Sequence, residues 1–206
     1  MISMRSAAVI WLLGATVYLV CEAAAAASVP GYSYAGDFIS DLGVRPVMNI
    51  GAFAVHGVLF LLGAVVMALS VPAAGRARVG FVLAAGANAV GNILLAVFHA
   101  GAPASAWHQQ WHVVGAALAI LGGNIAVLIA GFAGRRAGAS GCYRRSSIAI
   151  GSFGIACLVG LTVDGLHGDR VLAVGLVERG SVYSIIGWEL LTAWAILRRG
   201  RRSETR

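Results

Sequence analysis

The chain lacks lysine altogether, and charged residues make up only 11% of its 206 positions. A soluble domain usually carries roughly 25% charged residues, so this composition excludes a water-solvated globular protein. Hydrophobic residues account for 59% of the chain. The sequence therefore predicts that lipid solvates the protein, and the length predicts a single transmembrane domain over residues 1–206.

Cysteine is also scarce, and its spacing carries no motif. Cys21, Cys142 and Cys157 show no paired spacing, which argues against a disulfide framework or a cysteine-based zinc site. Basic charge is in excess, because 15 arginines outnumber eight acidic residues. These arginines gather in short segments between apolar runs, which is typical of cytoplasmic loops and not of a nucleic-acid surface.

Long apolar runs are what the chain has in abundance. About 20 apolar residues cross the hydrocarbon core as a helix, and six runs qualify, so we predict an all-α bundle of six transmembrane helices. The first run ends in the small residues Ala23 to Ser28, as a secretory signal does, but its length favours a retained helix. The predicted spans are approximately residues 6–26, 49–71, 79–98, 111–132, 147–163 and 181–197.

The arginines predict an orientation. Twelve of them lie before the first span, after the last, or between spans two and three and spans four and five. Only Arg45, Arg170 and Arg179 fall on the other side. Positive charge marks the inside, so we predict a multi-pass protein of the cell membrane with both termini in the cytoplasm.

Histidine is confined to the opposite end of the predicted spans. Ionisable groups in or beside hydrocarbon are costly, so they usually face a cavity, a partner or a metal. Their one-sided collection predicts a polar pocket that opens to the extracytoplasmic face. The collected residues are His56, His99, His108, His112 and His167, together with Asp37, Asp41, Asp164 and Asp169.

The loop between spans one and two carries an amphipathic pattern. Residues Tyr34 to Leu42 predict a short interfacial helix that ends at Gly43 and places Asp37 and Asp41 one turn apart. In a functional interpretation Asp37, Ser40 or Asp41 points into the pocket. In a structural one Asp41 pairs with Arg45 and fixes the loop.

The spacing His108-x3-His112 is one that zinc sites use on a helix face. His56, His99 and His167 are predicted at the same depth and complete a candidate metal set. A bound zinc ion could turn water into hydroxide near neutral pH. The alternative is that these histidines bind one another, carboxylates or lipid headgroups through hydrogen bonds.

Other polar residues of the spans allow two interpretations each. Arg45, Arg170 and Arg179 could recognise an anionic headgroup beside Glu178, or Glu178 and Arg179 could form a structural salt bridge with the first loop. Glu189 lies near the middle of span six, as a packing partner or a proton relay. The asparagines of spans two and three are typical of helix packing.

Several short motifs together resemble the bacterial domain-of-unknown-function family 998, whose members are small six-span membrane proteins. The run from Tyr34 to Gly43 ends in ISDLG, His108 and His112 resemble the family's pair, and Gly175 to Arg179 resembles its GL-x-ER entry. Relatives often carry an acidic residue in the loop after span three, where this chain has His99. The resemblance implies a fold and no established activity.

Two functions follow from these patterns. The first is a metal-assisted hydrolase of lipid or lipid-linked substrates, loosely similar to membrane hydrolases of the alkaline ceramidase type. The second is a non-catalytic lipid-binding, small-carrier or assembly subunit, although apolar inner halves of spans two to five argue against a through-pathway. The predicted catalytic groups are Ser40, Asp41, His112 and Asp164, with zinc as the possible cofactor.

Overall fold

A computed structural model describes residues 3–71, 75–100, 105–167 and 173–204, without the side chains of residues 167 and 199–204. Within this part the chain is helical and contains no strand. The elements are helix α1 (Met4–Ser28), the 3-10 helix η1 (Ile39–Val44), a π-helix (Met48–Val55), α2 (His56–Ser70), α3 (Gly75–Val97), α4 (Ala106–Ala133), α5 (Gly141–His167) and α6 (Val174–Glu204).

The predicted all-α fold is confirmed. In the described part, six helices are long and apolar enough to cross a membrane, with the π-helix and α2 forming one continuous span. Each coincides with one predicted run but begins before the predicted first residue, by one residue in the second span and by seven in the sixth. Helix α4 begins at Ala106 because the Ser105 hydroxyl caps it, accepting from the His108 amide at 3.1 Å. Helix α6 begins at Val174, which places Glu178 and Arg179 inside its first two turns.

Successive helices run in opposite directions, which gives the bundle two ends. We call the end with residues 29–47 the loop end, and the end with α1's first residue the arginine end. Helices α3 and α4 approach most closely, because a side chain at Gly91 would meet the backbone of Ala119, and one at Gly122 that of Asn88. Such small-residue contacts are how membrane helices pack without a hydrophobic driving force.

The short helix of the first loop differs from its prediction. The pattern predicts an α-helix from Tyr34 to Leu42, whereas the structure has a 3-10 helix at Ile39–Val44 after a series of turns. The two aspartates explain the difference. Asp37 accepts a hydrogen bond from the Ser33 amide at 2.7 Å, and Asp41 accepts one from the Phe38 amide at 3.1 Å. These local bonds compete with a regular helix.

An aromatic layer crosses the bundle on the arginine side of its middle, formed by Trp11, Phe60, Phe81 and Trp188. The rings of Trp11 and Trp188 lie edge to face with centroids 5.0 Å apart. The Trp11 indole N–H donates to the Phe60 carbonyl at 3.2 Å, which satisfies its polar atom in hydrocarbon. The layer separates the interior into a loop-end half and an arginine-end half.

Candidate functional site

A buried ion pair joins α1 to α6 near the loop end. The Arg179 guanidinium lies 3.0 Å from a Glu22 carboxylate oxygen, and these residues are only 4% and 1% exposed. The Tyr183 hydroxyl donates to the other Glu22 oxygen at 2.8 Å. Both carboxylate oxygens therefore have partners, which a buried charge in a membrane requires.

The same guanidinium also fixes the first loop. Arg179 donates to the carbonyls of Tyr34 and Asp37 at 2.7 and 3.3 Å and to the Tyr32 hydroxyl at 2.5 Å, and it lies over the Tyr34 ring. Burial raises the pKa of the Tyr32 hydroxyl, and the Arg179 hydrogen bond opposes that effect. The geometry favours the structural interpretation of Arg179, and headgroup recognition stays a prediction.

Two further predicted ligand-binding residues tie the loop to its surroundings. A Glu178 carboxylate oxygen accepts a hydrogen bond from the Ile39 amide at the start of η1. The Arg45 guanidinium donates to the Ser28 carbonyl at 2.5 Å, at the end of α1. Both contacts close the loop end over the bundle interior.

A second buried pair lies deeper, between α2 and α6. His56 Nε2 is 3.0 Å from Glu189 Oε2, and the two residues are 3% and 0% exposed. The Tyr18 ring packs edge to face against the imidazole at 5.1 Å. Within the described residues, His56 Nδ1 and Glu189 Oε1 have no hydrogen-bond partner. We call His56 and Glu189 the buried pair.

A small cavity lies between the buried pair and η1. Its volume is about 40 Å³, which exceeds the roughly 10–15 Å³ that one water molecule needs. Its polar lining residues come from five elements. They are Tyr18, Ser40, His56, Asn88, Asn92 and Glu178.

Three of the five predicted metal histidines gather at the loop that follows α3. His108 Nε2 donates to the His99 carbonyl at 3.1 Å, and His112 Nδ1 donates to the Phe98 carbonyl at 2.7 Å. His99 Nδ1 donates to the Ala100 carbonyl at 2.7 Å. Each imidazole keeps one nitrogen outside these bonds, as metal-binding histidines do. We call His99, His108 and His112 the histidine cluster.

The structure does not bring all predicted site residues together. His56 pairs with Glu189, Asp164 is buried near the end of α5, and the side chain of His167 and all of Arg170 and Asp169 lie outside the described residues. Among the described residues, no three of His, Cys, Asp and Glu are placed to hold one metal ion. The zinc site therefore stays a prediction.

A larger cavity occupies the arginine-end half of the bundle, and we call it the inner cavity. Its volume is about 430 Å³, within the roughly 300–1,000 Å³ range of small-molecule sites. Trp11, Phe81 and Trp188 of the aromatic layer form its floor, and exposed Arg78 and Arg198 lie at its mouth. The Tyr143 and Thr192 hydroxyls, 3.0 Å apart, are among its few polar lining groups.

These features define a polytopic helical membrane protein with ionisable groups buried in its interior. The chain belongs to the family described as Protein of unknown function (DUF998), whose model matches residues 12–195. The resemblance seen in its motifs is thereby confirmed. No curated protein and no solved structure matches the chain.

Two features of these sites escaped the sequence patterns, the buried residue Glu22 and the inner cavity. Glu22 is the acidic residue of the first span, and an acidic group there demands a partner, but its pairing with Arg179 crosses 157 positions of sequence. No sequence pattern indicated the inner cavity, because its lining is mostly alanine, methionine and aromatic residues of ordinary transmembrane type.

Proposed function

We propose that this protein binds an anionic single-chain amphiphile, such as a fatty acid or a lysophospholipid, in the inner cavity. The observation that supports the proposal is the size and lining of that cavity. All six helices contribute to its wall. The apolar chain would lie against the aromatic layer, and the anionic head would lie beside Arg78 and Arg198.

Volume decides between the two cavities as a lipid site. The small cavity beside η1 measures about 40 Å³, and the inner cavity measures about 430 Å³. Only the second has room for an acyl chain without a rearrangement of the bundle. Its walls are predominantly apolar with a few polar groups at one end, which is the usual character of ligand sites. Arginine suits the head, because its guanidinium pairs with phosphate and carboxylate in a bidentate geometry.

Filling the inner cavity should displace the amphiphile. Ala195 lies on α6 and lines the cavity, so Ala195→Phe places an aromatic ring where the chain would bind. We expect the affinity for an alkyl sulfonate, titrated into the protein in lipid nanodiscs, to fall roughly tenfold or more, which corresponds to an overpacking cost of at least about 1.4 kcal/mol.

The matched control uses the lipid-facing side of the same helix. Leu190 is 37% exposed and does not line the cavity, so Leu190→Phe should leave the affinity unchanged. Equal affinities of the Ala195→Phe and unmodified proteins would place the ligand elsewhere and refute the proposal.

A second candidate is the metal-assisted hydrolase, for which the spacing of His108 and His112 on α4 is the supporting observation, although the described residues place no third ligand beside them. His108 and His112 lie one turn apart on α4, and the rings of His99 and His108 are 6.4 Å apart. A zinc ion held there would supply hydroxide to a lipid ester at the loop end. Asp41 and Asp164 would orient the histidines, or Ser40 would serve as the nucleophile. Bonds from three imidazoles to backbone carbonyls would restrain their orientation.

Zinc analysis of the purified protein tests this candidate. We expect about one zinc ion per chain, as catalytic zinc sites hold, and its loss in the double variant His108→Ala, His112→Ala. Gln110→Ala changes an exposed residue of the same turn and should retain the metal. Absence of zinc after purification with added metal, or full retention in the double variant, would rule out the metal site. Hydrolysis of a fluorogenic acyl ester would be measured in parallel.

A further inference from the structure

The buried pair leaves two polar atoms without partners at the centre of the bundle. His56 Nδ1 and Glu189 Oε1 have no hydrogen-bond partner among the described residues. A buried polar atom left unsatisfied is costly, and the cost is greater in hydrocarbon, where water is absent. An eight-residue π-helix, Met48–Val55, leads directly into His56. Such irregular turns are rare and occur frequently at functional sites.

We propose that His56 and Glu189 form a proton-binding site that exchanges protons with the loop end and controls ligand affinity in the inner cavity. With one proton between Nε2 and Oε2 and none on Nδ1, the pair carries a net charge of minus one. A second proton, delivered by hydronium to His56 Nδ1, leaves water behind and gives an imidazolium–carboxylate pair with no net charge. The controlling role rests on the proposed function, whereas the proton site does not.

The small cavity supplies the proton route. His56 lines it together with Ser40 of η1 and Glu178 of α6, so water in the cavity would connect the imidazole to the loop end. The cavity volume of about 40 Å³ accommodates water but excludes larger ligands. Water there would also provide the partner that Nδ1 lacks.

Among the described residues, few titratable groups face the buried pair. On α1 the facing titratable group is Tyr18, and Glu178 of α6 shares the cavity with His56. Helix α3 presents the neutral Asn88 and Asn92, and η1 presents Ser40. The polar lining of the cavity comes from these residues.

Three other charged groups lie farther out, and each has a partner. Glu22 of α1 and Arg179 of α6 neutralise each other at 3.0 Å. Asp41 of η1 accepts from the Phe38 amide at 3.1 Å. The Glu22–Arg179 pair contributes no net charge at the buried pair, and Asp41 lies farther away, in η1.

The aromatic layer connects the pair to the inner cavity. The His56 and Phe60 rings lie 6.2 Å apart, and Phe60 lies 6.3 Å from Trp188, which lines the cavity. Along α6, Glu189 and Arg198 are nine residues apart, or about 13 Å. A unit charge at that distance, at an effective dielectric constant of about 20, changes the affinity for an anion roughly eightfold.

The proton site is tested directly by nitrogen NMR of protein labelled with ¹⁵N-histidine in lipid nanodiscs. The His56 signals are assigned by their loss in His56→Gln. Spectra recorded between about pH 8 and about pH 5 should show Nδ1 gaining a proton as the pH falls. In Glu189→Gln the conversion should disappear, because an imidazolium without its carboxylate is not tolerated in hydrocarbon. An Nδ1 signal that is constant across this range would overturn the inference.

The controlling role is tested by ligand binding at the same two pH values. We expect the unmodified protein to bind an alkyl sulfonate roughly five- to tenfold more tightly at the lower pH, while Glu189→Gln binds it equally at both. An alkyl maltoside of the same chain length is uncharged and should show no pH dependence. Gln preserves the shape of Glu, so Glu189→Gln should fold. If it does not, the same binding measurement is made on the double variant His56→Gln, Glu189→Gln.

The outcomes separate the two proposals. Absence of sulfonate binding at either pH refutes the inner-cavity function, and the NMR titration then decides the proton site alone. Binding that is equal at both pH values, with Nδ1 protonated at the lower one, retains the proton site and overturns its control of affinity. Equal pH dependence in Glu189→Gln would overturn the role of the pair.

Discussion

Arg179→Leu is expected to lower the free energy of unfolding by about 3–5 kcal/mol, the usual cost of removing one partner from a buried ion pair. The Glu22 carboxylate, 1% exposed, would keep only the Tyr183 hydroxyl as a partner. The first loop would also lose the bonds from Arg179 to two of its carbonyls. Thermal unfolding in detergent measures the first effect, and the rate of chymotrypsin cleavage in residues 29–47 measures the second.

Two comparisons isolate the contribution of Arg179. Arg45→Leu removes another loop arginine whose hydrogen bond goes to a backbone carbonyl, so its loss should be about 1 kcal/mol. Arg179→Lys keeps the charge but not the planar guanidinium. Its loss of unfolding free energy should therefore lie between the losses of Arg179→Leu and Arg45→Leu. If Arg179→Leu unfolds no more readily than Arg45→Leu, the ion pair does not anchor the loop.

The six spans could be predicted because each depends on the composition of one continuous segment. The Ser105 cap and the early start of α6 were harder to predict, because apolar content alone sets the predicted boundary of a span. The first loop shows the limit most clearly. Its amphipathic pattern was compatible with an α-helix, but the side chains of Asp37 and Asp41 bind nearby amides and favour turns.

The sites could be predicted only in part, because a pairing across helices depends on their rotation about their own axes. The sequence identified Glu189 as a residue that needs a partner, and the structure supplies His56. The sequence groups His56 with His108 and His112, since all three are predicted at one depth. The π-helix before His56 adds a local change of helical phase that periodicity does not reveal.

His56→Leu is expected to destabilise the protein by about 3–5 kcal/mol, because Glu189 would be left fully buried without a partner. Glu189→Leu should cost less, about 1–3 kcal/mol, since a neutral imidazole is then the unsatisfied group. The double variant should recover most of the loss, because apolar side chains of similar size often replace a buried ion pair without penalty. Unfolding of all four proteins in the same detergent gives the coupling energy.

The double-mutant cycle also addresses why the buried pair is present. If the losses of the single variants add within about 0.5 kcal/mol, the two residues do not interact and the 3.0 Å contact has no energetic role. A double variant as stable as the unmodified protein would mean that folding does not require the pair. A costly polar pair that folding does not require is then best explained by its chemistry. Loss of pH-dependent sulfonate binding in that same stable double variant is the result we expect.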